Sequence, residues 1–191
     1  MSRGLGSTIT NLLSADTIRY FDLLELHFPT PIFLNDGPHD INLTTTTSGG
    51  AQAYASNGQW LGYSNVSETG APRINSVTIQ VSGVDTGFPN LLLNNPYVNT
   101  RAVIYRAFLD ADHAVVGSPV MIWDSEITSY NLLDSTETST VEILTSSVFY
   151  DFDKVRGRRT NSASQQVLFP ADKGFDFATI DVTDLRWGKK V

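Results

Sequence analysis

Val77-Thr78-Ile79-Gln80-Val81-Ser82 alternates apolar side chains with hydroxyl and amide side chains. Successive side chains of a strand point to opposite faces, so this segment gives a sheet one apolar and one polar face. Residues 102–109 carry a different pattern. Val103, Tyr105, Ala107 and Leu109 share one face, while Ile104, Arg106 and Phe108 share the other. Large side chains on both faces call for cover on both faces. The two segments set the expectation for the whole chain: mainly β, built from short strands at hairpin spacing.

Working outward, Asp110-Ala111-Asp112-His113 turns the chain into Val115-Val116, which reads as a hairpin. Residues 120–130 and 138–145 form another strand pair, with Asp134-Ser135-Thr136-Glu137 as its turn. Upstream, residues 18–28 read as a half-buried strand, Leu24, Leu26 and Phe28 facing in against Glu25 and His27, and Pro29 and Pro31 end it. A short strand at 32–34 runs into the turn cluster Asn35-Asp36-Gly37-Pro38. Residues 44–55 are Thr, Ser, Gly and Ala with Tyr54, the composition of an exposed loop. At the N-terminus, Ile9, Leu12 and Leu13 have helical spacing after a cap at Ser7 or Thr8. Beyond Ser146 the texture changes to short helical turns and loops, with a last strand around 178–182. The fold expected is a β-barrel or sandwich, or two small barrels, with a short N-terminal helix. The division expected is a body over 1–145 and a basic segment over 146–191.

Composition narrows the function. Among 191 residues there is no cysteine, so disulfides and cysteine-based metal or thiol chemistry are excluded. Charged residues are 17%, below the usual quarter, while 18 Ser and 20 Thr fill the surface. Such a surface suits strands and burial against partners. The net charge of -7 is unevenly spread: residues 1–153 hold 16 acids and 5 bases, residues 154–191 hold 4 acids and 8 bases. An acidic body with a basic end disfavours nonspecific nucleic-acid binding by the body and suits joining of copies. MSRGLGSTIT lacks the pattern of a signal peptide, and no run approaches the ~20 apolar residues that span a membrane. A soluble compartment without membrane insertion is the expectation.

Several constellations invite chemistry. Asp110, Asp112 and His113 offer metal ligands, but the later Gly and Glu of a calcium loop are missing and turn chemistry explains them better. Asp124 and Glu126 share a strand face and could serve as a glycosidase pair; a solvated face beside Trp123 is the simpler reading. His27, His39 and His113 show no metal-ligand spacing, and no nucleotide loop or nucleophile elbow occurs. No catalytic residue, metal site or cofactor is assigned, and the protein is read as non-enzymatic. Arg156-Gly157-Arg158-Arg159 is the densest charge feature, and pairing with carboxylates of this or a neighbouring chain is preferred over nucleic-acid binding. Trp60, Trp123 and Trp187 read as core or interface anchors, with a sugar platform at Trp60 or Trp123 as the rival.

The C-terminal third carries a spaced pattern: Arg156-Gly157-Arg158-Arg159-Thr160, Gln165-Gln166-Val167-Leu168-Phe169-Pro170, Asp172-Lys173-Gly174-Phe175 and Trp187-Gly188. With the N-terminal helix and strand, the 77–81 strand and the 105–112 hairpin in order before it, this resembles the tail-tip and baseplate-hub proteins of tailed bacteriophages, in particular the β-barrel part of lambda-type tail-tip proteins. That resemblance implies a structural virion protein: a hub or adaptor ring at the distal tail, linking tube to spike or fibre around a DNA channel. It implies a homo-trimer in preference to a hexamer, neighbouring tube, hub, spike or fibre proteins as partners, DNA in transient passage, and assembly in the host bacterial cytoplasm. The iron-sulfur cluster of some relatives does not carry over to a chain without cysteine. Subunit contacts would fall on Arg156, Arg158, Arg159, Gln165, Gln166, Asp172, Lys173, Phe175 and Trp187. The rival, from another class, is a host-glycan-binding β-sandwich.

Overall fold

The computed structural model describes residues 6–67, 73–84, 87–136, 138–153 and 160–176. The chain divides into two compact units, Met1–Phe152 and Asp153–Val191. In the first, α1 (Ser7–Leu13) precedes β1 (Arg19–Leu26), β2 (Ile32–Asn35), β3 (Ile41–Thr44), β4 (Ala51–Tyr54), β5 (Trp60–Tyr63) and β6 (Ser76–Ser82). Then come α2 (Gly87–Asn94), β7 (Arg101–Leu109), β8 (Val115–Asp134), β9 (Ser139–Ser146) and the short α3 (Tyr150–Asp153). The second unit contributes α4 (Ser162–Gln166).

The mainly β expectation holds. Seven strands form one antiparallel sheet in the order β2-β1-β7-β8-β9-β6-β5, and β3 pairs with β4 as a separate hairpin. The sheet is not a closed barrel, but it curls strongly. β1 and β5 lie five steps apart, roughly 24 Å across a flat sheet, yet the Tyr63 hydroxyl on β5 donates to Asp22 on β1 at 2.8 Å. Strand twist and the irregularities in register between β7 and β8 accommodate the bend.

The concave face holds the main core. Leu24, Leu26, Ile79, Val81, Ile104, Trp123, Ile127, Val141 and Ile143 meet there, with Phe88 and Leu92 of α2 in the same cluster. The alternating apolar set of β6 is buried as its pattern requires. α2 was not legible from the sequence. Its Pro89 sits in the first turn, where no backbone donor is needed, and Phe88 and Leu92, four apart, face the core. On the convex side, Phe21, Leu23, Val103, Tyr105 and Ala107 form a second cluster with Tyr54 of the β3–β4 hairpin. β7 is thus covered on both faces, as its sequence demanded.

Four expectations change. β1 is not half-buried: its burial is complete from Phe21 to Leu26, because the β3–β4 hairpin covers the face that carries Glu25. Residues 44–55 are not an exposed loop; Ala51–Tyr54 is β4, paired with β3, and Tyr54 is fully buried. The segments at 115–116 and 120–130 are one strand of 20 residues that pairs first with β7 and then with β9. The cap of α1 is Gly6, without a side-chain hydrogen bond, so neither Ser7 nor Thr8 caps it. α1 is fixed instead by packing: Gly117 of β8 has φ +70, and a Cβ there would stand 3.4 Å from Ile9 Cδ1. The strand expected at 178–182 lies outside the described residues.

Candidate functional site

Polar side chains gather at three places in the first unit. The first is the seam where the sheet curls back on itself. Arg106 of β7 donates from Nε to Asp22 Oδ1 at 2.7 Å and from Nη2 to Asp22 Oδ2 at 2.9 Å. The same Nη2 lies 3.0 Å from the Tyr63 hydroxyl, and the guanidinium carbon stacks 4.0 Å above the Tyr20 ring. Asp22 is 4% exposed. Burial, and then the bond to Asp22, push the Tyr63 hydroxyl up to about 12, so it remains a donor at neutral pH. The bonds to Asp22 hold the Arg106 guanidinium protonated above its ordinary range. Asp22, Tyr63 and Arg106 line a polar cleft of about 470 Å³. They spend their hydrogen-bonding capacity on one another, and the arrangement fastens β5 to β1 and β7 where no backbone ladder does.

The second place lies on the convex face. Glu25 is fully buried, and its carboxylate accepts from Thr45 Oγ1 at 2.5 Å, from the Tyr54 hydroxyl at 2.6 Å and from Thr47 Oγ1, with His27 Nε2 at 3.0 Å. The Tyr105 hydroxyl in turn lies 2.8 Å from the hydroxyls of Thr46 and Thr47. Burial, followed by the bond to Glu25, raises the Tyr54 hydroxyl above its ordinary range. A buried carboxylate without such donors would cost several kcal/mol, and the Thr44-Thr45-Thr46-Thr47 run supplies two of them, Thr45 and Thr47. Among the described residues no buried side-chain nitrogen or oxygen lacks a partner.

The third place is the far end of β8 and β9. Leu61, Leu132 and Leu133 are 55%, 49% and 52% exposed and line one groove of about 420 Å³ with Asp134, Thr140 and Glu142. Glu142 accepts from Gln80 Nε2 at 3.2 Å. Among the described residues neither Asp134 nor Glu142 has a cationic partner. Among the described residues these exposed leucines and acids form one apolar and acidic surface patch.

The residues singled out from the sequence distribute as follows. Gln165, Gln166 and Asp172 come together in the second unit: Gln165 Nε2 donates to Asp172 Oδ2 at 2.8 Å, and Gln166 Nε2 reaches the Asp172 carbonyl at 3.5 Å. The Gly174 amide donates to Asp172 Oδ1 at 2.8 Å, and that bond, with the one from Gln165, holds the Asp172 carboxyl below its usual range. Asn161 caps α4 by accepting from the Ser164 amide. Lys173 gives its carbonyl to the Asp176 amide in the same turn, and Phe175 is half-buried. Arg156, Arg158, Arg159 and Trp187 lie outside the described residues.

Elsewhere, Asp110 Oδ1 accepts from the Asp112 and Ala114 amides, both at 2.9 Å, and His113 takes φ 61, so this segment is the turn expected. Asp124 is bound on both oxygens by Arg101, at 2.8 and 2.7 Å. Trp60 and Trp123 are only 6% and 7% exposed. They are core residues, and the sugar platform expected of them in the glycan-binding rival is not formed. The seam and the Glu25 cluster escaped the sequence reading. An acid in a strand between leucines, followed by four consecutive threonines, was the available signal for the second.

The fold places the chain among mainly β proteins built on a curled, open antiparallel sheet. No family model matches the sequence, and no curated protein does. The fold is similar to that of a chain in the virion of a native gene transfer agent particle, with a TM-score of 0.56 and 10% identity over 82% of this chain and 49% of that one. This chain therefore spans about half the length of that relative in structure. No helix among the described residues is long and apolar enough to cross a membrane.

Proposed function

We propose that this protein is a structural component of a phage-like virion, a non-enzymatic subunit of a hub or adaptor ring at the distal end of a tail. The observation that carries the reading is the likeness of fold, over most of the chain, to a virion chain of a gene transfer agent particle. The sequence pattern of the C-terminal third supports it independently. So does the open leucine groove at one end of the sheet, since ring subunits need surface that a monomer leaves uncovered. The acidic body suits the wall of a channel through which DNA passes without sticking. In this role the protein joins copies of itself, three in preference to six, meets tube, spike or fibre proteins above and below, and assembles in the host bacterial cytoplasm.

Immunogold labelling of particles from the producing strain, with antibody to the purified chain, tests this. Gold at the tail end away from the head is the expected result. Gold on the head, or particles that lack the protein altogether, overturns the proposal.

A further inference from the structure

We propose that the groove around Leu61, Leu132 and Leu133 receives the segment Leu185-Arg186-Trp187-Gly188-Lys189-Lys190 from a second copy of this chain. The inference rests on the ring reading above and specifies its subunit contact. The three leucines come from β5 and from the end of β8, and they stay about half exposed in the single chain. No described residue covers them. Their charge setting selects the partner: Asp134 and Glu142 border the groove, and no described cation pairs with either. The complement is a segment that is apolar and basic at once.

The chain's own sequence contains such a segment. Between 177 and 191 it carries Leu185 and Trp187 among Arg186, Lys189 and Lys190, with no acid after Asp184. Tryptophan supplies large apolar area with few rotatable bonds, the property that makes it an interface anchor. The cations match the two acids. A groove on one copy and a segment on the next are different patches, so the contact is heterologous and runs head to tail, as ring closure requires. Both edges of the groove are paired strands, β8 with β9 and β5 with β6, which gives the segment a rigid seat.

The chain has no cysteine, which makes a disulfide test clean. Thr140→Cys, in the groove, is mixed with Gly188→Cys, beside the tryptophan, under mild oxidation. A mixed disulfide between the two variants is expected. No mixed product, or a bond formed only within a chain that carries both substitutions, overturns the proposal. A synthetic peptide of residues 183–191, followed by its tryptophan anisotropy, gives a second readout that does not depend on assembly. It should bind saturably and weaken about tenfold or more in Leu133→Ser with Glu142→Gln, provided thermal melting shows that variant still folded. Absence of binding up to about 1 mM, or equal binding to the variant, overturns the contact. The two proposals fail separately. A discrete ring without the cross-link removes this contact and leaves the ring; cross-linked open chains remove the closed ring and leave the contact.

Discussion

The two halves of the sheet are built from the same kind of strand and treat their surfaces in opposite ways. Around β1 and β7 both faces are covered, and every described buried side-chain nitrogen and oxygen has a partner: Glu25 has Thr45, Thr47, Tyr54 and His27, and Asp22 has Arg106 and Tyr63. At the far end of β8 and β9 one finds half-exposed leucines and acids that no described cation pairs. The first region spends its sequence on holding a single fold. The second leaves its apolar and acidic groups half exposed, the surface to which the proposed subunit contact is assigned. On the proposed function, the difference separates residues whose replacement unfolds the chain from residues whose replacement leaves it folded and unassembled.

The comparison is sharpened most strongly by a pair of leucines. Leu24, with 0% exposure in the concave core, should lose about 2–5 kcal/mol of stability on replacement by alanine. Leu133→Ala, at the far end, should change stability by less than about 0.5 kcal/mol in the same urea titration. Similar losses at both sites would break the contrast.

An effect within the same range is expected at the seam. Arg106→Ala leaves the Asp22 carboxylate buried without its cation and should cost about 3 kcal/mol. Hydrogen exchange should also speed at β5 ahead of β9, because β5 loses the bond of Tyr63 to Arg106 of β7 and keeps only the bond of Tyr63 to Asp22 and its ladder to β6. Uniform exchange across the sheet would show that the seam does not act as a clasp.

Alkali probes the same half more gently. Burial and the bonds to Glu25 and Asp22 raise the Tyr54 and Tyr63 hydroxyls above the ordinary tyrosine value of about 10, Tyr63 to about 12, so the folded state holds these protons more tightly than the unfolded chain. Their contribution is fully present below about pH 10 and is lost as pH rises through the folded values. Stability measured across this range should fall, and Tyr63→Phe should make the fall shallower. Tyr63 is only partly buried, which keeps its share modest.

The sequence carried the elements whose apolar spacing is strong, and lost those whose identity depends on distant partners. The strands at Val77–Val81 and Tyr105–Leu109 were legible because alternation and two-sided burial are written into neighbouring residues. β4 was not. Ala51-Gln52-Ala53-Tyr54 lacks the β-branched residues of a strand and gains its place from pairing with β3 and from the bond of Tyr54 to Glu25, 29 residues away. Glu25 itself was misread for the same reason, since an acid between leucines implies solvent until four donors are brought to it. The tryptophans at 60 and 123 were read as core or interface anchors with a sugar platform as the rival, and their burial makes them core. In the C-terminal pattern, Gln165, Gln166 and Asp172 form one hydrogen-bonded turn, so their spacing has a local structural reason as well as a place in the resemblance.

The central claim is that the open end of the sheet exists to join copies of the chain. The most direct test is the mass of the purified protein by light scattering, from low salt to about 1 M, where the Debye length falls to roughly 3 Å. The account predicts a discrete multiple of 21.0 kDa at low salt, three copies first, which falls toward the single chain as salt rises. A mass of 21.0 kDa at every salt and every concentration would contradict it.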